Sequence, residues 1–186
     1  MAQTPSTMLP LGTPAPDFTL TDAVSGRHMS LDQLRSPVAT LIMFICNHCP
    51  FVKHVQNELV RLADDYGAKQ VSFIAVNSND AERYPEDAPD RMRLVALEKG
   101  YPFPYLYDES QDVARAYQAA CTPDFYIFDP DLRCVYRGQL DGARPGNDIP
   151  VTGRDIRQAL DAMLAGEPVS PDQTPSVGCG IKWRED

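Results

Sequence analysis

The segment Phe44-Ile45-Cys46-Asn47-His48-Cys49-Pro50 sets two cysteines at C-x-x-C spacing. The thiolate is the form of cysteine that attacks disulfides and binds metals. Such a pair can therefore open and close as a disulfide or contribute half of a metal site. A zinc site needs two more ligands at suitable spacing, and the chain has no second C-x-x-C and no histidine pair. Thiol–disulfide chemistry is the stronger reading. Cys46 is expected to attack, and Cys49, one turn on and more buried, to resolve the mixed disulfide. His48 lies between them, where its imidazole is expected to favour the Cys46 thiolate and make the pair more oxidising. His28 and His54 read as surface residues, and Cys134, at the start of a strand, as core.

The elements that must hold this pair are legible from periodicity. Val38 to Ile45 is an apolar, β-rich run of the kind covered on both sheet faces. Apolar residues at Val52, Val55, Leu59, Leu62, Ala63 and Tyr66 then follow a helical period. The pair thus falls at a helix N-terminus, where free N–H groups and the macrodipole favour an anion. Cys46 is expected at or just before the first helical residue, exposed. Val71 to Val76 is a second buried strand. The acidic loop after it, Asn77 to Pro89, lies at the carboxyl end of a strand, where α/β sheets often put their sites.

Further on, the pattern predicts a helix from about Arg91 to Lys99 stopping at Gly100, an extended Tyr101–Tyr107 and a short helix from Asp112 to about Ala119. A hairpin of Phe125–Phe128 with Cys134–Gly138 follows, then a last helix from near Thr152 to Gly166. Ala15–Thr21 and a segment ending near Leu31 make a β extension on the N-terminal side. Right-handed crossovers make the strands around the cysteine pair parallel and the late hairpin antiparallel. The expected architecture is α/β, a mixed central sheet flanked by helices. It has a flexible start at residues 1–10, one domain at 11–166, and a tail at 167–186 that docks on the domain through the region of Trp183.

A chain of 186 residues with 43% apolar and 23% charged residues has the balance of an ordinary globular domain. Its net charge of −9, with no basic patch, disfavours nucleic acid and anionic membranes as partners. No run approaches a membrane span and the start is not a secretory signal, so a cytoplasmic location is expected. Cysteines in that compartment serve redox chemistry more often than structural bridges.

Three motifs together resemble the thioredoxin fold, in the AhpC/TSA branch that includes peroxiredoxin-like and TlpA-like proteins. They are Cys46-Asn47-His48-Cys49-Pro50 after a buried strand, Gly12 with Ala15-Pro16-Asp17-Phe18, and Thr122-Pro123 just before a strand. The run Gly178 to Trp183 is similar to the tail of bacterial proteins of this kind. The resemblance implies that Pro123 is cis and packs on the cysteine pair, and that Thr122 offers backbone groups to an extended substrate chain. It also brings Cys121 near the active-site surface. Cys179, flanked by glycines and anchored by Ile181 and Trp183, is expected there too, with Cys121 as its partner in a second dithiol. The alternative for both is inert packing.

The chain also departs from the patterns of the proteins it resembles. Ile45 stands where thioredoxins have Trp, Thr40 where they have a buried acid, and Ala75 where they have the accompanying lysine. Asn77, Asn79 and Asp80 could supply the missing proton acceptor. Aligned on Cys49, Ile42 and Cys46 replace the Pro and Thr of the peroxiredoxin pattern P-x-x-x-T-x-x-C.

The reading is a thiol–disulfide oxidoreductase without cofactor or metal, acting on protein or small-molecule disulfides and served by a reductant of thioredoxin or glutathione type. A thiol peroxidase and a metal-binding or redox-sensing module are the alternatives. Thioredoxin-fold copper chaperones use a late histidine, and here His54 is the last.

Overall fold

The computed structural model describes residues 3–185. In chain order the elements are β1 (Gln3–Pro5), β2 (Thr19–Asp22), β3 (His28–Ser30), α1 (Leu31–Leu34), β4 (Ala39–Phe44), α2 (Pro50–Gly67) and β5 (Val71–Asn77). There follow α3 (Pro89–Lys99), β6 (Tyr105–Tyr107), α4 (Asp112–Ala116), β7 (Cys121–Thr122), β8 (Asp124–Phe128), β9 (Cys134–Gly138), α5 (Arg154–Leu164) and β10 (Val177–Gly180).

Seven strands form the main sheet in the order β3-β2-β6-β5-β4-β8-β9. β4 pairs parallel with β5, and β5 with β6, while β8 runs antiparallel to both β4 and β9. This is the expected mixed sheet flanked by helices, with the β2–β3 hairpin at one edge as the β extension.

All six residues of β4 are buried, so its side chains alternate between two cores. Leu41 and Met43 pack with Val52, Val55, Leu59 and Leu62 of α2 on one face. Ile42 and Phe44 pack with Phe18, Tyr117 and Tyr126 on the other. α3 ends as its sequence predicts, with Gly100 in the left-handed region at φ 66°.

A second, three-stranded sheet has the order β1-β10-β7. β10 pairs antiparallel on one side with β1, Gln3 opposite Cys179, and on the other with β7, Cys179 opposite Thr122. The start of the chain is thus not the loose segment expected. Residues 3–5 form a strand because β10 offers a row of backbone groups that would otherwise be an open edge. Beyond them the Ser6 N–H bonds the Ser176 carbonyl at 2.8 Å, and Leu9 is buried. Met1, Ala2 and Asp186 lie outside the described residues. On the tail, Ile181 is buried and the Trp183 ring lies 4.7 Å from the Arg115 guanidinium. No helix among the described residues is long and apolar enough to cross a membrane.

Candidate active site

β4 delivers the cysteine pair to one end of the sheet, and α2 begins at Pro50. Proline belongs at the first helical position, because it lacks the N–H that would go unused there. Cys49 is therefore the N-cap, and its carbonyl accepts the first helical bond, from Lys53 N–H at 3.0 Å. Cys46 lies upstream in the connecting loop. The helix N-terminus falls on the second cysteine and not, as expected, on the first. Both are buried, Cys46 at 2% exposure and Cys49 at 0%. Cys46, expected to be open to solvent, is enclosed, with the Thr122 hydroxyl against its sulfur.

The Thr122–Pro123 peptide bond is cis. Thr122 meets both sulfurs: its hydroxyl is 3.3 Å from the Cys46 Sγ, and its carbonyl accepts from the Cys49 thiol at 3.2 Å. A third sulfur joins them from β10, since the Cys179 Sγ is 2.9 Å from the Cys49 Sγ. Cys121, the expected partner of Cys179, is elsewhere. It precedes Thr122 in a strand, so its side chain points to the opposite face. Its thiol makes only a long contact, 3.8 Å, with the Pro123 carbonyl.

The three sulfurs share protons unequally. Cys49 is drawn down to about 5, first because the Cys46 thiol can donate to its anion; burial opposes this, and the Cys179 thiol adds to it. The Val52 N–H in the first helical turn also favours the anion, although it makes no cap hydrogen bond. The Thr122 carbonyl contact belongs to the protonated form of Cys49. Cys46 goes the opposite way, well above an ordinary thiol, because its proton is held by Cys49, because it is buried and because the Asp87 carboxylate is near. The two thiols titrate as one unit, and the lowered pKa goes to Cys49, the sulfur at the helix end with the Cys179 thiol beside it. Cys179 is pushed up to about 12, by burial and then by its bond to Cys49.

Beside the sulfurs lies a polar cluster centred on Asp87, a residue that motif reading did not single out. Asp87, fully buried, accepts from the Asn47 N–H at 2.7 Å, from His48 Nδ1 at 2.6 Å and from Asn79 Nδ2 at 2.8 Å. Burial alone would raise its pKa, but these bonds, led by that from His48, hold it below the ordinary value. The same hydrogen bond raises the pKa of His48. The histidine ring also stacks on Tyr84 at 5.6 Å between centroids, 8° from parallel. Tyr105 donates to Asn47 Oδ1 at 3.0 Å.

The His48 Nδ1 is thus bonded to Asp87 and not directed at the Cys46 sulfur. Cys46 Sγ, a His48 ring nitrogen and an Asp87 oxygen lie within 4.8 Å of one another, but the histidine Nδ1 and the carboxylate are already bonded to each other. Asn77 and Asn79 support Asp87, and Asp80 accepts from the Glu82 N–H at 3.0 Å. Their bonds go to the loop and to the tail at Lys182, and not to a sulfur. The acid-rich composition of the loop was the one signal available for Asp87. A second acid, Asp124, sits directly behind the cis-proline; burial raises it to about 7.

A groove of about 620 Å³ opens next to the motif, lined by Asn47 and His48, by Lys53 of α2, and by Arg91, Leu94 and Val95 of α3.

The AhpC/TSA family model matches residues 11–137. An uncharacterized conserved protein from Geobacillus kaustophilus has a crystal structure similar over 100% of this chain and 98% of its own, at 65% identity and TM-score 0.99. A hypothetical protein from Sinorhizobium meliloti 1021 is similar over 98% of this chain and 100% of its own, at 47% identity and TM-score 0.96. The thioredoxin domain of a thiol-disulfide oxidoreductase from Bacteroides vulgatus covers 70% of this chain and 89% of its own, at 19% identity and TM-score 0.59. That likeness shows the fold, which is thioredoxin-like. The comparison with curated proteins found no match.

Proposed function

The chain belongs to the AhpC/TSA family, and we propose that within it this protein is a thiol–disulfide oxidoreductase whose working dithiol is Cys46 and Cys49. The observation that carries this is the seating of both sulfurs on Thr122, beside a cis-proline, with Cys49 as the cap of α2.

In the proposed cycle the Cys49 thiolate attacks one sulfur of a substrate disulfide. One substrate sulfur leaves as a thiolate, and the other is bound to Cys49. Cys46 then attacks the Cys49 sulfur, its proton passing to the second departing substrate sulfur. The substrate is reduced by two electrons and Cys46–Cys49 is oxidised; an external thiol reductant of thioredoxin or glutathione type restores the dithiol. Run backwards, the same steps oxidise a substrate dithiol, and the direction follows the potential of the compartment. The order of attack reverses the one expected from the motif alone, for the reasons of geometry given above. His48 and Asp87 act as positioning residues, clamping the Asn47-His48 loop that carries Cys46. The groove beside them, lined by the apolar Leu94 and Val95 and by the charged Lys53, Arg91, Glu98 and Lys99, suits a segment of a protein substrate.

A thiol peroxidase is the second reading, because Cys49 occupies the place of the reactive cysteine when the chain is aligned to P-x-x-x-T-x-x-C. Ile42 and Cys46 in place of its Pro and Thr weigh against it. The reduced protein is to be given insulin and hydrogen peroxide separately. Insulin disulfide cleavage, lost in Cys49→Ser, supports the proposal; peroxide turnover without insulin cleavage replaces it by the second reading. Inactivity towards both, with a metal kept through dialysis, supports a binding module.

A further inference from the structure

The backbone edge of Thr122, where an extended substrate chain would add as a strand, is already taken by this chain's own tail. β10 pairs with it in register, Cys179 opposite Thr122. The cysteine of that strand brings its sulfur to 2.9 Å from the Cys49 Sγ. The tail thus holds the position of a substrate strand, with a thiol where a substrate sulfur would be.

The placement is built into the sequence on both sides of Cys179. A Cβ on Gly178 would come within 2.0 Å of the Thr122 carbonyl oxygen, so only glycine allows β10 this close. β1 pairs with the outer edge of β10. Beyond the strand, the Ile181 N–H bonds the Ala120 carbonyl at 3.1 Å, and the Lys182 N–H bonds Asn79 Oδ1 at 2.9 Å. The Lys182 carbonyl accepts from the Asp80 N–H and from Gln111 Nε2, each at 2.9 Å.

We propose that Cys179 is a third redox thiol of this centre and receives the disulfide from the Cys46–Cys49 pair by internal exchange. The inference rests on the dithiol reading above. In the exchange the Cys179 sulfur attacks the Cys49 sulfur, the Cys49–Cys179 bond forms and the Cys46–Cys49 bond breaks. Cys46 leaves as a thiolate and takes up the proton that Cys179 gave up. One disulfide becomes another, with no change in oxidation level and no outside oxidant. The product ties β10 to the start of α2 and keeps the Thr122 edge closed to a substrate chain. The tail is then an internal substrate that competes with external ones.

The test uses the full-length protein. Reduced wild type is oxidised with a stoichiometric amount of diamide, quenched in acid, alkylated and mapped by mass spectrometry. Both links are expected, with Cys49–Cys179 within about tenfold of Cys46–Cys49, a gap of about 1.4 kcal/mol; a smaller share overturns the proposal. The same treatment of Cys46→Ser is expected to close Cys49–Cys179 directly, with the loss of two titratable thiols. Cys179 remaining open to alkylation in that variant, with native circular dichroism, also overturns it. If wild type forms Cys46–Cys49 alone, the relay fails and the dithiol reading stands. If Cys46 enters no disulfide in Cys179→Ser, where no relay can remove it, the dithiol reading itself fails.

Discussion

All five cysteines are buried and free, yet they fall into two chemical settings. Cys134 on β9 is 1% exposed and bonds only the Tyr136 carbonyl, at 3.4 Å; burial raises its pKa to about 11. Cys121 is likewise raised, first by burial. Cys49 is as deeply enclosed as either, but it caps a helix and touches the thiols of Cys46 and Cys179. Burial penalises a thiolate in every case. What separates the two settings is the donors around the sulfur, not its exposure.

The sharpest way to break this comparison is to remove sulfurs from each setting. Cys49→Ser is expected to reduce insulin cleavage to background, while the double variant Cys46→Ser/Cys179→Ser, which lacks both neighbouring thiols, accumulates a mixed disulfide on Cys49. Iodoacetamide should modify Cys49 with a half-maximal rate near pH 5, and modify Cys121 and Cys134 only after denaturation. Trapping of the mixed disulfide on Cys46 instead would return the attack to the first cysteine.

Next in size is the seam that brings the third sulfur in. Gly178→Ala forces a methyl group against the Thr122 carbonyl. Overpacking of this kind costs about 1–3 kcal/mol, occasionally more, and here the strain falls on β10. Urea unfolding should show the loss of stability. Limited proteolysis should cut residues 167–176 faster than in wild type. An unchanged midpoint and cleavage rate would mean that β10 is not held as described.

The His48–Asp87 pair sharpens the comparison further, because it makes no bond to a sulfur while the Asp87 carboxylate still raises the neighbouring Cys46 thiol. His48 is raised above its ordinary 6.5, so its contribution to stability is complete below that value and is lost as pH rises through the raised one. Asp87 is depressed below 3.8, so its contribution is present above that value and is lost as pH falls through the depressed one. Stability from the pair is therefore greatest between them. Asp87→Asn should remove about 1.5–3 kcal/mol, the range for hydrogen bonds to charged groups. It should also lower the His48 pKa in an NMR titration and flatten urea midpoints above pH 6.5. A His48 titration unmoved by the substitution would refute the pairing.

The smallest effect belongs to the inert setting. Cys134→Ala leaves a small cavity in the β9 core, worth about 1–2 kcal/mol, and should leave the insulin rate unchanged. A loss of activity larger than the loss of folded protein would bring Cys134 into the chemistry.

Much of the molecule was readable from local pattern. The apolar run before Cys46, the helical stripe from Val52 to Tyr66, the stop at Gly100 and the β8–β9 hairpin all appear close to where periodicity and turn residues put them. Each depends on neighbours within one element, which sequence spacing reports directly. Thr122-Pro123 was identified by its place before a strand in a recognised layout, and its bond is cis.

Even the helix start was legible in principle. Pro50 marks Cys49 as the cap, a signal that the C-x-x-C reading overrode. The sequence by itself thus determined the elements and the presence of a cysteine pair between a strand and a helix. The tertiary structure decided which sulfurs meet. Cys49 and Cys179 are 130 positions apart, and Asn47 and His48 reach Asp87 only because β4 and β5 lie side by side and parallel. The strand at residues 3–5, expected to be loose, exists only because β10 passes beside it. Contacts between distant segments follow from how sheets and helices stack, and no spacing within a segment encodes the proton that two stacked sulfurs share.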